Sequence, residues 1–269
     1  KYCVISQSRN IMHIHPTTIH YQVKVSSIAG HLFDVSLCIE EPDKDGQIVT
    51  LPAWIPGSYM IRDFAKNIVA ISAKNNIGEN IGIQKLDKQT WQIQAVETSI
   101  NIHYQVYAYD LSVRGAYIND EIAFFNGTNM FLTVVGQTDK KCSLTLVQPP
   151  QTELSHWQVA TTMPIATPKE QQASHSFGDF YAQNYQELID HPVLIGEFEV
   201  LPFSVAGVAF ELIFAGGHQT DVKRIINDLT KICQHHIDFF ADSPPIERYQ
   251  FITLLTDNAF GGLESVHLK

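Results

Sequence analysis

The chain has 269 residues, of which 45% are hydrophobic and 17% are charged, so it is long enough to bury a large core. Its 28 acidic and 18 basic residues give a net charge of −10. This charge argues against nucleic acid or a membrane surface as a partner, since both attract basic faces, and no apolar run is long enough to span a membrane.

The cysteine pattern gives a further expectation about the environment of the protein. The four cysteines are scattered along the chain and form no CxxC pair. This pattern favours free thiols over a disulfide framework and offers no cysteine-based zinc site. The first residues contain no apolar leader segment, so the sequence predicts a cytoplasmic location.

From Thr18 to about Val147, apolar and polar residues alternate, which is typical of strands with one buried face. The alternation is clearest in four runs: 19–25, 33–39, 100–106 and 142–146. Turn-forming residues separate these runs, as at 42–46 and 75–78. Many short strands at this spacing predict a mainly β fold, an antiparallel sandwich or saddle.

Residues 151–192 follow a less regular pattern. Trp157 and Val159 fit a strand, 169–176 is polar and reads as a loop, and 181–190 fits a short helix or turn. The β domain is therefore predicted to end near residue 190.

Beyond Pro192 the pattern becomes mixed. Strands are predicted at 194–200, 208–214 and 249–256. Between the last two, apolar residues recur at helical spacing from Asp221 to Phe240, with Thr220 as the expected N-cap. These elements predict an α+β segment over 191–269, after a β domain over 12–190.

Two segments are chemically unusual. Residues 51–64, LPAWIPGSYMIRDF, combine turn-forming residues with large aromatic and basic side chains. Such a loop is either a structural plug or a wall of a ligand cleft. In the second segment, Gly261-Gly262 allow close backbone approach, and Glu264 follows as a carboxylate for a cation, although this pattern also fits a simple turn.

Five separated segments resemble the M61 glycyl aminopeptidase family of zinc peptidases. In chain order they are LPAWIPGSYMIRDFAKNI (51–68), YAYDLSVRGAYINDEIAFFNGTNMF (107–131), WQVATTMP (157–164), ELIDHPVLIGEF (187–198) and GGLE (261–264). The resemblance implies that 12–190 is the N-terminal β-sandwich domain of such an enzyme. It implies that 191–269 is the incomplete start of a thermolysin-like catalytic domain.

The resemblance also implies a substrate site. An edge strand carrying Gly261 and Gly262 would pair with the backbone of a peptide, and Glu264 would bind its free α-amino group. Asn126 and Tyr59 would line the same small pocket. We therefore expect Glu264, Asn126 and Tyr59 to converge on one concavity, and the loop 51–64 to pack against the segment after residue 191.

One departure from the family pattern limits the activity expected of this chain. The 269 residues contain no HExxH, the motif that supplies two zinc ligands and a general base. We therefore expect no catalytic residue, no metal ligand and no cofactor in this chain, although the family enzyme implies zinc. We expect the chain to be inactive alone, because hydrolysis of this kind depends on a metal-activated water.

Several alternatives remain open at this point. The chain is either part of a metallo-aminopeptidase that acts on peptides with a free amino terminus, or a non-catalytic peptide-binding or scaffold protein. A small-molecule enzyme is the third alternative, supported only by the aromatic loop. The apolar face of the helix over 221–240 is a candidate surface for self-association.

Overall fold

A computed structural model describes residues 18–166, 172–239 and 246–256 of the chain. The described residues form mainly strands, together with two α-helices and short 3-10 turns. In chain order the elements are β1 (Thr18–Ser27), β2 (Leu32–Ile39), β3 (Ile48–Thr50), β4 (Ile68–Asn75), β5 (Asn80–Ile81), β6 (Ile83–Lys85), β7 (Thr90–Ile93), β8 (Ile100–Tyr107), β9 (Ala116–Ile118), β10 (Ile122–Phe125), β11 (Thr133–Val134), β12 (Lys141–Val147), β13 (Gln158–Ala160), β14 (Gly178–Ala182), α1 (Tyr185–Asp190), β15 (Val193–Gly196), β16 (Glu199–Val205), β17 (Val208–Ala215), α2 (Val222–Phe239) and β18 (Arg248–Leu254).

The largest sheet has seven strands in the order β14-β12-β1-β2-β8-β4-β5. Its neighbours are antiparallel except for β1 and β12, which run parallel. All four predicted alternating runs lie in this sheet, and their apolar residues are buried, so the prediction of a mainly β fold is confirmed. Successive side chains of a strand point to opposite faces of the sheet, and one face of this sheet lies on a core. The alternation of apolar and polar residues therefore identified these strands.

Two four-stranded sheets share this core, in the orders β13-β15-β10-β9 and β11-β3-β7-β6. The last sheet is separate and has three strands in the order β16-β17-β18. Within it β17 pairs antiparallel with β16 and parallel with β18, and α2 packs against β16.

The structure corrects the predicted strand over 194–200. This stretch belongs to two strands, because β15 ends at Gly196 and pairs with β10 and β13, whereas β16 begins at Glu199 in the three-stranded sheet. Gly196 has a φ of 154°, and a Cβ there would lie 2.8 Å from the carbonyl oxygen of Glu121. The chain therefore changes sheets at a position that requires glycine.

Helix α2 begins at Val222, one residue later than predicted. Asp221, not Thr220, is the N-cap, because its Oδ1 accepts a hydrogen bond of 3.1 Å from the backbone N–H of Arg224. Cys233 is buried against the three-stranded sheet, whereas Ile232 is 53% exposed. The apolar stripe of the helix is thus only partly covered by the described residues.

The cysteines correct a second expectation. Cys38 is disulfide-bonded, so the expectation of free thiols is wrong for this residue. Cys142 and Cys233 are free and buried. Burial raises the pKa of the Cys142 thiol to about 12.

An apolar cluster joins the three-stranded sheet to the β domain. Phe124 and Leu194 come from β10 and β15, and they pack with Phe198, Ile213 and Ala215. This cluster places the start of β16 directly beside the sheet that precedes it in the chain.

Candidate functional site

The aromatic loop 51–64 is closed by hydrogen bonds of its own backbone. The N–H groups of Arg62 and Asp63 both donate to the carbonyl of Ala53, at 2.7 and 3.0 Å. Trp54 Nε1 donates to the carbonyl of Ser58 at 2.8 Å, and Arg62 Nε donates to Ser58 Oγ at 3.2 Å. These bonds satisfy polar groups of a loop that has no regular structure of its own.

The loop is buried only in part, and its expected packing against the segment after residue 191 stays a prediction. Ile55 is buried, but Tyr59 is fully exposed at 103% and Trp54 is 44% exposed. The tip of the loop, which carries Tyr59, therefore points outward. An ion pair also holds the loop, through a 2.7 Å contact between Asp63 Oδ1 and Lys88 Nζ in the β domain.

We expect Tyr59→Ala to change the free energy of unfolding by less than about 0.5 kcal/mol, since the side chain covers nothing. Ile55→Ala in the same loop is the matched control, because Ile55 is 5% exposed and its truncation should cost about 2–4 kcal/mol. Urea unfolding followed by circular dichroism measures both values. A large loss of stability in Tyr59→Ala would contradict the exposed position.

Asn126 uses its side chain to build the loop in which it lies. It is buried, and its Oδ1 accepts hydrogen bonds from the Thr128 N–H at 3.2 Å and from Thr128 Oγ1 at 2.8 Å. It thereby caps the 3-10 turn Gly127–Asn129. The amide oxygen of Asn126 consequently serves the turn, whereas the sequence interpretation assigned the whole side chain to a pocket wall.

The loops that carry Tyr59 and Asn126 are held by the same pair of residues, Arg114 and Gly115. Arg114 Nη2 donates to the carbonyl of Gly57 at 3.3 Å, and its own carbonyl accepts from Asn129 Nδ2 at 2.6 Å. The carbonyl of Gly115 accepts from the N–H of Asn126 at 3.1 Å.

The sequence interpretation did not single out Arg114, although it lies within the quoted segment 107–131. Its Nε atom is buried and has no hydrogen-bond partner in the described part of the chain. Arg114 lies between the loops that carry Tyr59 and Asn126. This position can be recognised only from its contacts with those loops. The two loops and Arg114 carry the exposed phenol ring of Tyr59 and the guanidinium groups of Arg62 and Arg114, which are groups that can bind a polar ligand.

Three buried tyrosines hold the segment that follows the Asn126 turn. The hydroxyls of Tyr104, Tyr21 and Tyr185 each donate at 2.7 Å to the carbonyls of Met130, Leu132 and Phe131, respectively. Burial raises the pKa of all three hydroxyls above the ordinary tyrosine value, so they remain donors. The backbone behind the candidate site is thus fixed by side chains from three distant elements.

The remaining predicted site residues cannot be placed. Gly261, Gly262 and Glu264 lie outside the described residues, so the expected convergence of Glu264 with Asn126 and Tyr59 stays a prediction. Within the described ranges, no group of three or more His, Cys, Asp or Glu residues could hold a metal ion. No helix in these ranges is both long and apolar enough to cross a membrane.

The fold resembles that of solved metallopeptidases. The M1 zinc metallopeptidase of Deinococcus radiodurans, solved with a Tyr-Ser-Ala substrate, superposes with a TM-score of 0.53 at 11% identity, over 92% of this chain and 58% of that one. The same enzyme in another structure gives 0.52 at 12% identity, over 92% and 57% of the two chains. At this level of identity, these similarities show a shared fold.

The family follows from closer matches. The model of the peptidase M61 N-terminal domain matches residues 20–197. An aminopeptidase N family protein from Idiomarina loihiensis is 43% identical, with a TM-score of 0.86, over 92% of this chain. The chain belongs to the M61 peptidase family, and it spans 40% of the length of the Idiomarina protein. A comparison with curated proteins gives no match.

Proposed function

We propose that this chain is the peptide-binding part of an M61 aminopeptidase and that it receives peptides with a free amino terminus. The observation that carries the proposal is the connection through Arg114 and Gly115, which holds the Tyr59 loop and the Asn126 turn together as one unit. Family membership and the peptide bound to the M1 enzyme of similar fold support the same ligand class.

Each predicted residue has a distinct role in the proposed site. Glu264 supplies a carboxylate for the α-ammonium group of the peptide, and Gly261 and Gly262 let the peptide backbone approach closely. The exposed ring of Tyr59 offers an apolar surface with a hydroxyl at its tip. Asn126 contributes mainly by shaping the turn, since its oxygen is already used there.

We propose further that this chain alone binds peptides without hydrolysing them. Its 269 residues contain no HExxH, so it lacks the ligand pair and general base that activate water in zinc peptidases. We accordingly propose no residue of this chain as a ligand for the zinc of the family enzyme, and we propose no cofactor for this chain.

The test compares tri-alanine with its N-acetylated form by isothermal titration calorimetry. We expect acetylation to weaken binding at least about tenfold, because it removes the charge that Glu264 would meet. Glu264→Gln should weaken binding of tri-alanine by a similar factor, and Tyr59→Ala should weaken it about threefold. Glu153→Gln, a matched change at an exposed glutamate of the β domain, should have no effect.

Equal binding of the free and acetylated peptides would contradict the proposed ammonium site. Absence of binding to either would favour the scaffold alternative. Mass spectrometry of the peptide after incubation with the chain and added zinc should show no cleavage, and cleavage would contradict the non-catalytic assignment.

A further inference from the structure

Two arginine side chains contact neighbouring residues of the aromatic loop. Arg62 Nε donates to Ser58 Oγ at 3.2 Å, and Arg114 Nη2 donates to the carbonyl of Gly57 at 3.3 Å. Because Gly57 and Ser58 are consecutive, standard bond lengths keep those two acceptor oxygens within about 6 Å of each other. The two donor nitrogens are therefore no more than about 12 Å apart, and both guanidinium groups belong to one small region of the surface.

Neither guanidinium group has an ionic partner among the described residues. Asp63 is the only acidic residue of the loop 51–64, and its carboxylate contacts Lys88 Nζ at 2.7 Å instead. Asp110 lies beside the backbone that follows Arg114, but no ion pair joins these two residues. The whole chain carries a net charge of −10, so this region is a positive site on an acidic protein. Such a site attracts an anionic ligand.

The donors that remain are those with which arginine binds carboxylates. Arg62 uses Nε within the loop, and neither of its Nη nitrogens has a partner in the described part of the chain. Arg114 uses Nη2, and its Nε is buried without a partner, so Nη1 remains for a ligand. Both side chains are half-buried. A half-buried cation without a counter-charge is unfavourable, and a bound carboxylate would offset this cost through charge-assisted hydrogen bonds.

Ser58 holds the Arg62 guanidinium in place before any ligand binds. The residue is buried, and its hydroxyl donates to the carbonyl of Met60 at 3.0 Å, so a lone pair of Oγ is left for Arg62 Nε. The carbonyl of Ser58 is held in turn by Trp54 Nε1 at 2.8 Å. A donor that is fixed in advance loses less conformational entropy when the ligand binds.

We propose that Arg62 and Arg114 bind a carboxylate group of the peptide, which restricts the ligand class to peptides that carry a carboxylate at the C-terminus or on an acidic side chain. This inference rests on the proposed function, in which the same site receives a peptide. Charges of opposite sign then hold the ligand, because Glu264 meets its ammonium group and the two arginines meet its carboxylate.

The first test uses the unmodified chain and isothermal titration calorimetry. We expect tri-alanine to bind at least about fivefold more tightly than tri-alanine amide, which lacks the C-terminal carboxylate. Ala-Glu-Ala amide carries its carboxylate on a side chain instead, and Ala-Gln-Ala amide is its neutral match. A gain from either carboxylate supports the proposal and identifies its source, whereas no gain from both would overturn it.

The second test asks whether the arginines cause this preference. In Arg62→Gln, tri-alanine should bind about as weakly as tri-alanine amide, because the change and the amidation remove the same contact and are not additive. Arg114→Gln should show the same loss of preference. Arg224→Gln is the matched control, since Arg224 is an exposed arginine of α2, and it should keep the full preference.

A purely structural role of the arginines would give a different result. The Arg62→Gln and Arg114→Gln chains would then bind both peptides more weakly, with an unchanged preference for the free carboxylate, and this result would overturn the proposal. Equal binding of tri-alanine and both amides, with acetylation of the amino terminus still harmful, would overturn this inference alone. Absence of binding to every peptide would contradict the proposed function and this inference together.

Discussion

Gly127→Ala should destabilise the protein by about 3 kcal/mol, at the upper end of the cost of overpacking a close contact. A Cβ at this position would lie 2.6 Å from the Cα of Ile189 and 3.1 Å from its carbonyl oxygen. These are backbone atoms of α1, so the clash is relieved only by moving the helix away from the turn that Asn126 caps. Denaturant unfolding measures the loss, and a chemical-shift map should place the largest changes at α1.

Gly217→Ala is the matched control for this change. Nothing lies within 4 Å of a Cβ built at Gly217, and its φ is not in the left-handed region. Its effect on stability should stay within about 0.5 kcal/mol. A similar small effect for Gly127→Ala would show that α1 does not pack on the Asn126 turn as closely as the structure has it.

Tyr104→Phe should cost about 2–3 kcal/mol, although it removes a single oxygen atom. The hydroxyl of Tyr104 donates to the carbonyl of Met130 and accepts from the N–H of Leu132 at 3.2 Å, so its loss leaves two buried backbone groups without partners. Tyr21→Phe removes one such bond and should cost about half as much. Thermal and urea unfolding of the variants give the comparison.

Tyr181→Phe controls for the loss of a hydroxyl as such, since that ring is partly exposed on β14 and the change should be nearly neutral. Equal stabilities of Tyr104→Phe and Tyr181→Phe would contradict the role assigned to the buried hydroxyl. Tyr104→Phe and Tyr21→Phe should also weaken peptide binding, because their hydroxyls hold residues 130–132 next to the Asn126 turn, whereas Tyr181→Phe should not.

The sequence by itself determined four of the seven strands of the large sheet, β1, β2, β8 and β12, and the family to which its motifs belong. Ile19, Tyr21 and Val23 alternate with polar residues, and this local period of two follows from the geometry of a strand on a core, so it can be read without knowing the partners. The helix near residue 222 was equally readable, because its apolar spacing is also local. The resemblance in five separated segments identified the M61 family, which the family match then confirmed.

Only the tertiary structure decided where the motif residues point and what they contact. Tyr59 is exposed because the N–H groups of Arg62 and Asp63 both close on Ala53, and Asn126 is turned inward to cap its own helix turn. The pairing of β15 with β10, which separates it from β16, joins residues that are far apart in sequence, and so does the contact between His175 and Glu211. Such contacts depend on which surfaces meet after folding, and local periodicity and motif spacing carry no information about that.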